Sequence, residues 1–259
     1  MVRMNIEGKT VLVTGANRGV GAALVDALVS RGAQKIYAGS RDITATEWLT
    51  QRHGDRVAPV RLDVTRQQDI AQAAADCTDV DVLVSNAGIA PFGLVLDTAQ
   101  DVCREVFEVN VFGPLALMHA FAPTLSERRG ALLFINSLTG LIVSRSAPVY
   151  GASKAAVRML ALGLREQLKD RGVVVTISHP GFIDTDMAVT VPFPKATARE
   201  VAERSLDGLE AEATAVFPDR FAELVEHAHE TRMKEILQEP QQVMTSLVDQ
   251  LQQESQADR

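Results

Sequence analysis

Apolar residues in this chain come in short continuous runs separated by stretches of helical periodicity. Thr10–Thr14 holds three apolar residues between two threonines, the length of a buried strand, and Val20, Leu24, Ala27 and Leu28 then recur at helical spacing. The alternation continues with strands predicted over 35–39, 57–62 and 81–85, and a helix opening at Thr65 and Asp69 and running to about Cys77. Further strands are predicted over 131–135, 173–177 and 213–217, with helical stretches over 101–129, from Tyr150 onward and over 198–209. Strands that alternate with helices of this size predict an α/β fold: a doubly wound parallel sheet in three layers, with ligands along the carboxyl ends of its strands. At 259 residues, without a repeat, low-complexity segment or linker, the chain reads as one domain.

Three stretches break the pattern. Asn110 and Gly113-Pro114 fall inside the long helix and predict an interruption or kink there. An Asn on an apolar helix face is costly unless its amide is bonded, so Asn110 is either a structural bridge or part of a site. Residues 182–196, with Pro192 and Pro194 flanking Phe193, are irregular and predict a mobile substrate lid. Finally, residues 219–259 form a tail whose stripes predict helices: Phe221, Leu224, Val225 and Ala228; Met233, Ile236 and Leu237; Val243, Met244, Leu247, Val248 and Leu251. Two helices over 221–251 are expected to pack on the chain's own core or a partner subunit, since their stripes would otherwise be exposed.

Composition narrows the function. No apolar run approaches the ~20 residues of a membrane span, and the first residues lack the apolar core of a signal peptide. Cys77 and Cys103 form no CxxC pair and join no His/Cys cluster, so neither a disulfide framework nor a metal site is expected. The expectation is a reduced, cytoplasmic protein. A net charge of −7 disfavours nucleic acid and anionic membranes as partners. The tail carries four basic and nine acidic residues, and His227 and His229, on opposite helix faces, read as solvated rather than metal-ligating.

Candidate chemistry lies at the strand ends. Gly15, Gly19 and Gly21 lie between the first strand and the first helix, where glycine lets backbone approach a diphosphate facing the helix N-terminus. Glycines are also found where a helix simply packs tightly on a strand. The second strand ends in Ser40-Arg41-Asp42, a hydroxyl and a cation suited to a 2′-phosphate, which Arg18 could meet from the other side. The alternative is that both arginines are solvated and Asp42 caps the next helix. Tyr150 and Lys154 are four apart and share a helix face, with Ser137 thirteen residues upstream at a neighbouring strand end. A tyrosine of pKa ~10 needs ~4 kcal/mol to titrate near neutrality, and an ammonium ~4 Å away at an effective dielectric of ~20 supplies about that.

Together these residues resemble the short-chain dehydrogenase/reductase family over about residues 9–185. Thr14–Gly21 matches its cofactor turn, with Asn17, Arg18 and Val20 between the glycines; Asn86-Ala87-Gly88 matches its sheet-stabilising motif. Asn110, Ser137, Tyr150 and Lys154 match its catalytic tetrad in order and spacing, and Pro180, Gly181, Ile183 and Thr185 its nicotinamide-contacting segment. The resemblance implies a Rossmann-type sheet binding NADP, with Asp63 and Val64 at adenine and Asn86 near the ribose. It implies Tyr150 as general acid/base, Ser137 orienting the substrate, Lys154 on the nicotinamide ribose and lowering the tyrosine pKa, and Asn110 holding a relay water. It further implies a homodimer or homotetramer built on the helices of 101–129 and 150–171. His179 stands where the family often has Asn.

The resulting expectation is an NADPH-dependent reductase of uncharged, largely apolar ketones or aldehydes, the alternative being an NADPH-binding redox sensor that uses its tail to recruit a partner. The substrate pocket is expected among Ile89, Pro91, Phe92, Leu138, Ile142, Val143, Val149, Phe182, Met187, Val189 and Val191, with Arg145, Asp184 and Asp186 as its charged residues.

Overall fold

The computed structural model describes residues 4–231 and 239–257. Seven parallel strands, β1 (Thr10–Thr14), β2 (Lys35–Ser40), β3 (Val57–Arg61), β4 (Val82–Ser85), β5 (Ala131–Ile135), β6 (Val174–Ser178) and β7 (Ala215–Val216), stand in the order β3-β2-β1-β4-β5-β6-β7. This is the doubly wound sheet that the alternating pattern predicts. The middle of β1 is apolar because the strand is covered on both sides: Val11 and Val13 enter one core, Leu12 the other. Burying each such side chain contributes about 1.5–3 kcal/mol. Pro59, which cannot donate to a ladder, is confined to the edge strand β3.

Helices α1 (Gly19–Ser30), α2 (Glu47–His53) and α7 (Ala198–Glu210) contribute Leu24, Leu49 and Leu206 to the first core. On the other face α3 (Gln67–Asp76), α5 (Gly113–Arg128) and α6 (Pro148–Leu168) contribute Ile70, Phe121 and Val157, with Phe107 of α4 (Gln100–Phe107) packed against them. The interruption expected at Asn110 is a single wide π turn, Glu108–Phe112, through which α4 continues into α5. Residues Gln100–Arg128 are by length and hydropathy sufficient to cross a membrane, but half of that window is buried inside the molecule.

The chain winds outward from β1 through β2 to β3, then returns to β4 on the other side of β1. The carboxyl ends of β1 and β4 therefore flank the crevice where the winding reverses, the place such a sheet leaves open for a ligand. The tail forms α8 (Arg220–Thr231) and α9 (Pro240–Ala257). Both pack on the chain's own residues, Leu138 and Ile142 among them, in a third apolar cluster at the carboxyl end of the sheet. The stripe through Met233, Ile236 and Leu237 lies outside the described residues.

Candidate functional site

The turn after β1 has the backbone that its glycines permit. Gly15 and Gly19 take φ of +65° and +54°, and a Cβ on Gly21 would lie 2.0 Å from the Gly15 carbonyl oxygen. Thr14 and Asn86 fix this turn to the end of β4. Thr14 Oγ1 accepts the N–H groups of Asn86 and Ala87 at 2.9 and 3.0 Å, while Asn86 Nδ2 donates to the carbonyls of Thr14 and Gly15 at 2.9 and 3.1 Å. The amide the resemblance set beside the ribose thus holds the glycine turn itself.

A cleft of about 1050 Å³ opens over the strand ends. Along one limb it is lined by Gly15, Asn17, Arg18, Gly19, Val20 and Gly21, then Ser40, Arg41, Asp63 and Val64. Asp42 caps the turn that follows β2, its carboxylate accepting Thr44 N–H at 3.0 Å and the Thr44 hydroxyl at 2.8 Å. Ser40 is buried and donates its hydroxyl to the Asp42 carbonyl; Arg41 is exposed. Arg18 reaches the opposite way, placing Nη1 2.7 Å from Asp186.

The other limb holds Asn86, Ala87 and Gly88, then Ser137, Tyr150 and Lys154, then Pro180, Gly181, Ile183 and Thr185. Tyr150 and Lys154 lie one turn apart on α6, with the lysine Nζ 5.6 Å from the tyrosine ring centre and donating to the Ile135 carbonyl at 3.0 Å. Burial dominates their titration. It pushes the Tyr150 hydroxyl up to about 12, a hydrogen bond from Ser137 acting the other way, and it draws Lys154 down to about 8. The depression of the tyrosine expected from the ammonium is not seen in the protein alone, because desolvation of the buried hydroxyl is the dominant effect.

Asn110 does not line the cleft. It is 1 % exposed and fully bonded, accepting Ile89 N–H at 2.9 Å and donating to the Ile89 carbonyl at 2.9 Å and to Ser153 Oγ at 3.0 Å. Of its two readings, its side chain is the structural bridge, tying the π turn to the strand end after β4 and to α6. Asn136, given no role from sequence, donates Nδ2 to the Lys154 carbonyl at 3.1 Å and so ties α6 to the end of β5.

A family profile described as short chain dehydrogenase matches residues 9–194. The chain belongs to the short-chain dehydrogenase/reductase family. It is 35 % identical over 198 residues to rat dehydrogenase/reductase SDR family member 7B, covering 71 % of this chain and 61 % of the rat protein. It therefore spans about three fifths of the length of that relative. Identity to a 3-oxoacyl-(acyl-carrier-protein) reductase of Vibrio cholerae is 31 % over 200 residues, 75 % of this chain and 82 % of that one. Among solved structures, a short chain dehydrogenase from Burkholderia cenocepacia in complex with NADP superposes with a TM-score of 0.84 at 36 % identity, covering 89 % and 96 % of the two chains.

Of the pocket expected from sequence, Ile89, Phe92, Leu138, Phe182, Met187, Val191, Arg145 and Asp186 line the cleft. Val143 and Val189 are exposed, Val149 packs inward at the start of α6, and Ile142 belongs to the tail's apolar cluster; Pro91 and Asp184 do not line it. Residues 182–196 form a loop stapled at its base by Ala196 N–H to the Phe182 carbonyl and Asp184 N–H to the Ala196 carbonyl, both 2.9 Å. Sequence reading missed Met244, Thr245, Val248, Asp249 and Gln252, all on α9 and all facing the cleft.

Proposed function

We propose that this chain is an NADPH-dependent reductase of uncharged, largely apolar ketones and aldehydes. One observation carries the reading: Ser137, Tyr150 and Lys154 converge at one end of a cleft whose other end is a glycine turn with no room for side chains. The residues fit a dinucleotide. Gly15, Gly19 and Gly21 leave backbone N–H groups and the start of α1 facing a diphosphate, Asp63 and Val64 line the limb where adenine is implied, and Arg41 presents a cation at the end of β2 beside Ser40, whose hydroxyl is held by the Asp42 carbonyl. Asp42, turned onto Thr44, offers its carboxylate to the chain rather than to a ribose, which supports NADP over NAD. The NADP bound to the Burkholderia cenocepacia relative supports the same choice.

When bound, the nicotinamide supplies hydride to a carbonyl carbon. Tyr150 holds its proton to about pH 12, so it stands as a general acid across the physiological range, ready to protonate the carbonyl oxygen that Ser137 orients. Lys154, charged below about pH 8, would stabilise the tyrosinate left after that transfer and hold the nicotinamide ribose. Apolar residues at this end, Ile89, Phe92, Leu138 and Phe182, favour an uncharged substituent, and residues 182–196 serve as the lid over it. Exposed Phe112 and Met159, on the π turn and on α6, support a homodimer or homotetramer through those helices.

The test is a panel of carbonyl compounds followed at the nicotinamide absorbance with NADPH and with NADH. Turnover of aryl or alicyclic ketones with NADPH is expected; turnover with no carbonyl, or an equal rate with NADH, would overturn the reading or its cofactor.

A further inference from the structure

The family match ends at residue 194, yet the cleft does not. Met244, Thr245, Val248, Asp249 and Gln252 recur at offsets of three and four along α9, so one edge of that helix faces the cleft. Its apolar stripe is buried: Val243, Met244, Leu247, Val248 and Leu251 pack with Phe221, Val225 and Ala228 of α8, and Met244 and Val248 at the edge of this cluster also line the cleft. Phe182, from the base of the loop after β6, joins this cluster, stacked on Phe221 at 5.1 Å and 5.3 Å from Phe193. The ring that faces the cleft from the loop is thus held in place from behind by the tail.

The connection to the chemistry is direct. Asp219, 2 % exposed, accepts Gly181 N–H at 2.7 Å through one carboxylate oxygen and Ala222 N–H at 2.9 Å through the other. It caps α8 and, in the same grip, fixes the Pro180-Gly181 turn that lines the cleft beside Leu138. There is no space for slack, since a Cβ on Gly181 would stand 2.7 Å from the Asp219 oxygen. The tail is therefore registered to the catalytic end of the cleft by a buried carboxylate and by an aromatic cluster.

We propose that α9 is the outer wall of the substrate site, with Met244 and Val248 limiting the size of the apolar substituent carried by the carbonyl, and Asp219 acting as the positioning residue that sets the wall's distance from the reacting end. The inference rests on the reductase reading given above and names the part of the chain that selects among its substrates. A methionine is a natural limit of this kind: its unbranched thioether adapts to a bulky group but still occupies volume when a small one is bound.

The experiment compares full-length Met244→Ala, Met244→Trp and Asp249→Trp with the wild type on ketones of graded bulk, with NADPH binding and Tm measured on each. Asp249 is exposed, so a tryptophan there leaves the core intact even if position 244 tolerates no change. Met244→Trp and Asp249→Trp are expected to lower kcat/KM for the bulkiest ketone by about tenfold or more relative to the smallest, chiefly through KM, while NADPH affinity stays within about twofold; Met244→Ala is expected to shift preference towards bulk. Asp219→Asn, whose single amide oxygen can keep the Ala222 cap but then turns an NH2 donor rather than an acceptor towards Gly181 N–H, should blunt the size preference more than it lowers kcat on the smallest ketone. Equal losses on every ketone, or an unchanged size profile in both tryptophan variants, would overturn the inference while leaving the reductase standing. Loss of all turnover in the wild type would overturn the reductase reading instead.

Discussion

Arg18 Nη1 and Asp186 Oδ2 stand 2.7 Å apart across the mouth of the cleft, joining the glycine turn to the loop after β6. Their side chains are 70 % and 77 % exposed, so the pair contributes at most about 1 kcal/mol and less in salt. A phosphate dianion is the stronger partner for the same guanidinium. Asp186→Ala is accordingly expected to leave Tm within a degree or two, to tighten NADPH by up to about fivefold and to leave NADH unchanged. Fluorescence titration of both dinucleotides checks this; equal tightening of the two would mean that Arg18 does not reach the 2′-phosphate.

Arg41 provides the sharper test of cofactor choice. An aspartate in its place removes a cation from the end of β2 and puts an anion beside the phosphate, so Arg41→Asp should weaken NADPH by at least about tenfold and NADH little. Parallel losses with both cofactors would place the 2′-phosphate elsewhere.

The strands were legible because each central one is buried on two faces and so is mostly apolar, and the Tyr150/Lys154 pair because an offset of four needs only a helix to bring two side chains together. What the chain does not carry locally was harder to read. The stripe on α9 announces burial but not against what, and only the folded chain brings Met244 and Val248 to the cleft. Asn110 shows the same limit: its two readings differ by whether Ile89 and Ser153, 21 and 43 residues away, reach its amide. The direction of the Tyr150 titration depends on desolvation, which no spacing encodes.

That titration yields a pH prediction. Burial draws Lys154 down to about 8, so its charge is present below that pH and lost above it. kcat/KM for NADPH, which reports the free enzyme, should fall as pH rises through about 8, and Lys154→Arg should remove the fall because a guanidinium stays charged. Tyr150→Phe should lower ketone reduction by about 10²–10⁴-fold while NADPH affinity stays within about twofold. A falling limb that survives in Lys154→Arg would assign it to another group.

His179 governs stability in acid. It is 1 % exposed, stacks on Phe217 at 5.4 Å between ring centres and places Nδ1 3.2 Å from the Ser137 carbonyl. Burial draws its pKa down to about 4, the Ser137 carbonyl pulling the other way and the charges of Arg158, Lys154 and His229 adding to the fall. A depressed histidine is neutral in the fold and protonated in the unfolded chain between pH 4 and 6.5. The unfolded state then binds more protons, and its advantage grows as pH falls. The contribution is intact above about 6.5 and is lost progressively down to about 4, on the order of 3 kcal/mol in all. His179→Asn, which can still donate to the Ser137 carbonyl but takes up no proton, should flatten the dependence of urea midpoint on pH over that window and leave the slope above pH 7 unchanged. A wild-type midpoint that is flat between pH 6.5 and 4 would show that His179 takes up its proton in the fold without cost.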